Sequence, residues 1–185
     1  MKREDLYAKI IKDGDKEYFF KAEDGLKTEL SLLSELILPE DSKKELLRGY
    51  TPKNRFKLSK KLYNIAPDTI TRPVSLYTNN GKKGYLFDYV EGNDLVYMLY
   101  QNKFRNNKSL GKLIFEELSE TVERIHDKGY VHGDLVGGNN IMVGNTGDIK
   151  LIDFLYIPKN YSYKERFIEL DDESIDDIKK RIYQS

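Results

Sequence analysis

The spacing of apolar positions changes character along this chain. Residues 6 to 22, LYAKIIKDGDKEYFFKA, hold two runs rich in Ile, Tyr and Phe around Asp13-Gly14, which predicts a β-hairpin. Residues 25 to 37 set Leu26, Leu30, Leu33 and Ile37 on one helical face. A second helix is expected to start from a cap at Asp41 or Ser42 and run into Leu46 and Leu47. A third, over residues 53 to 64, carries Phe56, Leu58 and Leu62 among many lysines. Pro67 and Pro73 punctuate the chain, and VSLYTNNGKKGYLFDYV then reads as strand, Asn-Gly turn and strand.

Glu91-Gly92-Asn93 breaks the pattern and marks the one composition shift. A hinge is expected near residues 88–92, between a strand-rich half (1–90) and a helix-rich half (91–185) of a single domain. A helix is predicted from about Asp94 to Gln101, then a polar loop, KFRNNKS. Ser109 can cap the clearest helix of the chain, striped by Leu110, Ile114, Leu118, Val122 and Ile125 and stopped by Gly129. The segment YVHGDLVGGNN follows, then strand IMV, a turn from Gly144 to Asp148, and strand IKLI. The tail predicts a helix from about Asp171 with Ile175, Ile178 and Ile182 on one face. Acids fill its first turns and Lys179, Lys180 and Arg181 its last, as the helix dipole favours. The order of elements predicts an α+β fold.

Composition narrows the function classes. The 185 residues suffice for one compact domain or two small lobes. Hydrophobic residues make up 39% and charged residues 34%, a globular balance. Basic and acidic residues number 31 each, which argues against a nucleic-acid binder but leaves room for a local basic patch. The absence of Cys excludes disulfides, thiolate metal sites and cysteine nucleophiles; two His exclude a His/Cys zinc site. No apolar run approaches the roughly 18 residues of a membrane span. The polar start, Met-Lys-Arg-Glu-Asp, lacks a signal-peptide core, so synthesis and residence in the cytoplasm are expected, with signal-independent export into a host left open.

Four polar groups then stand out: Lys21 at the end of the first hairpin, Asp134 and Asn139 in a Gly-rich loop, and Asp153 at a strand end. Transfer of a γ-phosphoryl group is mostly positioning and charge stabilisation. A lysine can hold α- and β-phosphates, a carboxylate with an amide oxygen suits Mg²⁺, and a second carboxylate can orient a hydroxyl and take its proton.

These residues carry a resemblance. His132-Gly133-Asp134-Leu135 with Asn139 resembles the catalytic loop of the protein-kinase-like superfamily, and Asp153-Phe154 resembles its metal-binding motif. IHDKGYVHGD, LFDYVEGNDL and YFFKA are similar to the run before the catalytic loop, the strand leading to the hinge, and the strand bearing the ATP lysine. The resemblance spans about residues 6 to 155. It implies a bilobal fold, with a small β-rich N-lobe and a truncated, mainly helical C-lobe, that uses ATP with Mg²⁺ (or Mn²⁺). It implies Asp134 as catalytic base, Asn139 and Asp153 as metal ligands, and Lys21 on the phosphates. Backbone groups of Asp88 and Val90 would meet adenine, Phe87 would be the gatekeeper, and His132 would brace the loop. Glu29 is the choice for the glutamate paired with Lys21, with Glu35 and Glu45 as rivals.

The departures are as informative. No Gly-rich phosphate loop stands before Lys21. Gly133 replaces the Arg of the family's His-Arg-Asp, which argues against control by a phosphorylated activation loop. Val136 stands where many Ser/Thr kinases have a lysine, and Leu155 replaces the Gly of Asp-Phe-Gly. No Ala-Pro-Glu segment follows. The His-Gly-Asp variant on so short a chain resembles bacterial effector kinases, lipopolysaccharide core heptose kinases, and RIO-type or aminoglycoside-type kinases. Three functions follow as expectations: a kinase for protein Ser/Thr hydroxyls, with a protein substrate or an activating partner; a small-molecule or glycan kinase; and a kinase-like binding module.

Overall fold

The computed structural model describes residues 8–22 and 38–184. The helix expected over residues 25 to 37 lies outside these. Contacts divide the chain into two compact units, Met1–Lys61 with Arg72–Tyr89, and Leu62–Thr71 with Val90–Ser185.

The first unit is built on a four-stranded antiparallel sheet. Strands β1 (Ala8–Asp13) and β2 (Lys16–Ala22) form the first hairpin, with the two-residue loop Gly14-Asp15. Strands β3 (Pro73–Asn79) and β4 (Lys82–Asp88) form the second around Asn80-Gly81. The sheet order is β1-β2-β4-β3, so β2 and β4 are central. Their burial fits that place: Phe20 to Ala22 and Gly84 to Phe87 are buried without alternation, because both faces are covered. Phe20, Ala22 and Leu86 form the sheet's apolar cluster, with Ile11, Tyr18 and Val74 against it.

Helix α1 (Glu40–Gly49) starts one residue before the expected cap, after Pro39 and with no side-chain cap, so Asp41 and Ser42 belong to its first turn. Helix α2 (Pro52–Ile65) is capped by Thr51, whose Oγ1 accepts the Asn54 N–H (3.2 Å), and Pro52 takes the first helical position. Its inward face is Arg55, Leu58, Ser59 and Leu62, while Phe56 is only half-buried. The guanidinium of Arg55 is enclosed by the rings of Tyr50 and Tyr85, 4.9 and 5.5 Å from their centroids. Ring faces attract a cation and lessen the penalty of taking it out of water.

The second unit opens with a short strand that the sequence pattern did not reveal, β5 (Gly92–Asp94), in a three-stranded sheet of order β5-β6-β7 with β6 (Ile141–Gly144) and β7 (Ile149–Leu151). Asp94 caps helix α3 (Leu95–Tyr100), accepting the Tyr97 N–H at 2.6 Å. The long helix α4 (Lys108–Asp127) is capped by Asn107, which accepts the Leu110 N–H, not by Ser109, which lies in its first turn. Ile114, Leu118, Val122 and Ile125 are buried as the stripe predicts, and Leu110 is half-buried. The helix ends in a Schellman turn: Gly129 N–H donates to His126 O and Tyr130 N–H to Ile125 O. Helix α5 (Lys164–Gln184) begins seven residues before the expected Asp171, and Phe167, Ile175, Ile178 and Ile182 are buried along it. It packs on α4 at Gly111, where a Cβ would lie 2.6 Å from Ile182. Each such buried Ile or Leu contributes roughly 1.5–3 kcal/mol.

Candidate active site

The chemistry-bearing residues of the second unit lie where α4 ends and the small sheet begins. After the Gly129 stop the chain runs through Tyr130 and Val131 to His132, which is fully buried. His132 ties several elements together. Its ring packs on Phe154 at 4.3 Å between centroids. Its Nδ1 accepts the Asp134 N–H (3.3 Å), which makes Nδ1 the unprotonated nitrogen. Its carbonyl oxygen accepts the Leu155 N–H (2.9 Å). The bracing role expected of His132 thus has a concrete form.

Gly133 has φ 79°, a left-handed conformation, and a Cβ there would sit 3.1 Å from Leu155 Cβ. The two departures from the family pattern therefore face each other: Leu155 occupies the space that a side chain at 133 would need. Between Asp134 and the asparagines, a 3₁₀ turn (Val136–Gly138) carries the chain round with Gly137 and Gly138 both at positive φ. At Gly138 a Cβ would press on Leu95 at 3.3 Å. Arg181 of α5 holds this turn through Gly137 O (3.3 Å).

Asp134 is half-buried, and Asn140 is one of its partners. Asn140 Nδ2 donates to Asp134 Oδ2 (2.8 Å) and to its carbonyl oxygen (2.7 Å). Asn139, the residue picked from sequence spacing, is exposed at the end of the turn. The Asn140 carbonyl accepts the Ile152 N–H (3.0 Å), which sets the strand end bearing Asp153 beside the asparagines. Asp153 has φ 62°, a conformation that costs a non-glycine residue about 1–2 kcal/mol. It is sustained because Ile152, just before it, and Leu155, two residues after it, are hydrogen-bonded to Asn140 and His132.

A residue that sequence reasoning missed anchors the loop. Asp171 of α5 is 1% exposed, and its carboxylate accepts the N–H groups of His132 (2.8 Å) and Gly133 (2.9 Å). His126 Nε2 lies 3.1 Å from the same carboxylate, and Asp172 approaches its Nδ1 at 3.7 Å. The available signal was Phe167-Asp171-Ile175 at helical spacing, an acid set inside an apolar stripe. For Asn140 the signal was the second Asn of the doublet, directly before strand β6.

Lys21, Phe87 and Asp88 belong to the sheet unit. Lys21 is buried on β2, opposite Tyr85 in register. Phe87 is buried with its ring edge-on to Tyr85 at 4.8 Å. Asp88 makes a bidentate pair with Arg72 (2.7 and 2.9 Å), and its N–H donates to Arg72 O. The next N–H, of Tyr89, goes to Glu17 O (3.3 Å). Val90 opens the second unit and is half-buried. Glu29 and its rival Glu35 lie outside the described residues, and Glu45 is exposed on α1. Among the described residues no helix is long and apolar enough to cross a membrane.

Comparison with known proteins bears on the family of the chain. The model of the protein kinase domain matches residues 52–163. A probable cAMP-dependent protein kinase catalytic subunit of Encephalitozoon cuniculi is 30% identical over 101 residues, 55% of this chain and 30% of that protein. The Citron Rho-interacting kinase of Mus musculus is 33% identical over 69 residues, 37% of this chain and 3% of that protein. The serine/threonine-protein kinase WARTS homolog of Caenorhabditis elegans is 34% identical over 70 residues, 38% of this chain and 8% of that protein. The chain thus spans less than a third of the length of these curated relatives. With the matched segment covering more than half of its residues, the chain belongs to the protein kinase domain family.

Proposed function

We propose that this chain transfers the γ-phosphoryl group of ATP to Ser or Thr hydroxyls of a protein, with Asp134 as the base. One observation carries the reading. The Asp134 carboxylate is oriented by Asn140, in a loop pinned by Asp171 on one side and tied to the Asp153 strand end on the other. A polar cluster held this rigidly suits a reaction that depends on positioning.

In this reaction the acceptor hydroxyl attacks the γ-phosphorus, the bond to ADP breaks, and Asp134 takes the hydroxyl proton. The donor set fits Mg²⁺, which prefers oxygen and commonly takes one or two carboxylates along with substrate phosphates. Asp153 would supply the carboxylate. Asn139 or Asn140 would supply an amide oxygen, with Asn140 favoured because its Nδ2 is already turned to Asp134. The metal would neutralise charge on the phosphates. Lys21 is assigned to the α- and β-phosphates, Glu29 to Lys21, Phe87 to the gatekeeper position, and Val90 N–H to adenine. Since the Asp88 N–H is already donated to Arg72 O, Asp88 would contribute its carbonyl.

Val136, 65% exposed two residues after the base, supports a second reading, a small-molecule or glycan acceptor, because no cation stands there to meet a peptide-bound hydroxyl and its phosphate together. The chain incubated with radiolabelled ATP, Mg²⁺, a cell lysate and a panel of sugars and aminoglycosides separates them. Labelled protein that disappears with Asp153→Ala supports the first reading. Labelled sugar alone supports the second. Labelling unchanged by that variant removes both, and mass spectrometry of the product detects transfer of a nucleotidyl group instead. A thermal shift with ATP and Mg²⁺ in the absence of any turnover would point to a binding module.

A further inference from the structure

Helix α5 ends with Lys179, Lys180 and Arg181, and the three cations are placed differently. Lys179 Nζ lies 5.2 Å from the centroid of the Phe115 ring on α4, and Lys180 is exposed. Arg181 instead reaches the turn that follows Asp134, where its Nη1 donates to Gly137 O (3.3 Å). The helix dipole favours a cation anywhere in the last turn, so it does not account for this contact.

That bond takes one of the five N–H donors of a guanidinium. Asp177, one turn earlier on α5, lies 3.8 Å from the same Nη1, too far for a hydrogen bond. The Arg181 side chain is 36% exposed, so part of its charge faces solvent. The turn beside it is uncharged from Leu135 to Asn140, and Val136 is 65% exposed. Gly137 has φ 70°, and among the described residues a Cβ there would meet only the Asn139 amide, at 3.9 Å. The turn is therefore open to close approach next to a cation that comes from another element. Gly137 is three residues from Asp134, which bounds their Cα separation at about 11 Å. An extended peptide rises about 3.3 Å per residue, so a residue about two or three places from the acceptor covers that distance.

We propose that Arg181 is a specificity-determining residue that selects acidic peptides, in which the acceptor Ser or Thr has an Asp or Glu within about three residues. This rests on the transfer to protein hydroxyls proposed above and names the class of substrate for that site. The planar guanidinium matches a carboxylate with two parallel hydrogen bonds, and a side chain already held by Gly137 O loses less freedom on closing. A basic peptide meets like charge at the same place.

The test is radiolabelling by the full chain, with ATP and Mg²⁺, of peptides that have a central Ser and one flanking position at a time fixed as Asp, Ala or Arg. Asp should raise kcat/KM about tenfold over Ala at one position near the Ser, mainly through KM, and Arg should lower it. Added salt should compress the difference. Arg181→Gln keeps a donor for Gly137 O but removes the charge, and should make the Asp and Ala peptides equal while still labelling both. Arg181→Glu should invert the order, with Arg above Asp. Lys180→Glu, a neighbouring charge reversal, should keep the preference for Asp. Circular dichroism melts confirm that each variant is folded, and Arg181→Gln carries the test if Arg181→Glu is not. Equal labelling of Asp, Ala and Arg peptides by the parent overturns the proposal and leaves the protein acceptor standing. So does a preference for Asp that survives in Arg181→Gln, or a loss in that variant that is equal for all peptides, as a purely structural role would give. Failure of the parent to label any peptide removes the protein acceptor and this specificity with it.

Discussion

Removing the Asp171 carboxylate should unfasten the loop that bears Asp134 from α5. Two backbone donors lose their acceptor: the N–H of His132, in a fully buried residue, and that of Gly133, in a half-buried one. An orphaned buried donor costs about 1–3 kcal/mol. His126 loses its partner at 3.1 Å as well. Asp171→Ala, which orphans one fully buried and one half-buried donor, should lose about 2–4 kcal/mol. A domain with roughly 5–15 kcal/mol of stability would remain folded but be much weakened. Asp171→Asn keeps the size and one acceptor oxygen, yet turns an NH₂ group toward one of the two N–H donors. It should lose about 1–3 kcal/mol and remain well folded. Urea denaturation at unchanged slope measures the stability change. In Asp171→Asn the transfer rate should fall by about 10²-fold, the scale expected for a misplacement near 1 Å, with the KM for ATP little changed. If Asp171→Ala stays within about 1 kcal/mol of the parent and transfers phosphate at the same rate, the anchoring role is refuted.

Asn140→Ala should reduce kcat by about 10²-fold, and Asn139→Ala by much less, because Asn140 donates to the Asp134 carboxylate while Asn139 is exposed; equal losses would restore Asn139 to the central role. Gly133→Ala should destabilise by about 1–2 kcal/mol through its left-handed φ alone. Combined with Leu155→Ala it should show a coupling of about 0.5–1 kcal/mol in a double-mutant cycle, since the new methyl meets Leu155; strict additivity in urea denaturation would show that the contact is absent. The Glu117 carboxyl is raised above its ordinary value, chiefly by desolvation. A carboxyl raised in the folded state lends stability when protonated, an increment present below its ordinary value and lost as pH rises through the raised one. Glu117→Gln, which keeps an acceptor for the Ile149 N–H, should therefore flatten the stability profile over that acidic window and be no less stable at neutral pH.

Local chemistry was legible wherever neighbours in sequence decide the outcome. Gly14 and Asn80-Gly81 announced both hairpins of the sheet, and the α4 stripe with Gly129 announced the helix that leads into the loop bearing Asp134. The start of α5 was not legible, because Lys164 to Leu170 presents charged residues around the single buried Phe167. Strand β5 is only three residues long and exists through its pairing with β6. Arg55 sits in sequence among the lysines of α2, and its burial shows only in space, where the rings of Tyr50 and Tyr85 enclose it. The anchor of the loop was hidden by distance along the chain: Asp171 lies 39 residues beyond His132 and 45 beyond His126.

The family pattern is therefore better judged by pairs than by positions. Read singly, Gly133 and Leu155 are two losses, one of a basic residue in the catalytic loop and one of a flexible glycine after Asp153-Phe154. In space they are one substitution: the side chain missing at 133 leaves the volume that Leu155 fills, and Leu155 N–H returns a hydrogen bond to His132 O. With Phe154 packed on the His132 ring, the segment after Asp153 is held to the loop by apolar contact where the usual motif would offer a charged side chain. Restoring arginine at 133 alone should then disrupt the loop rather than improve it, because the new Cβ meets Leu155 before the guanidinium can reach any anion.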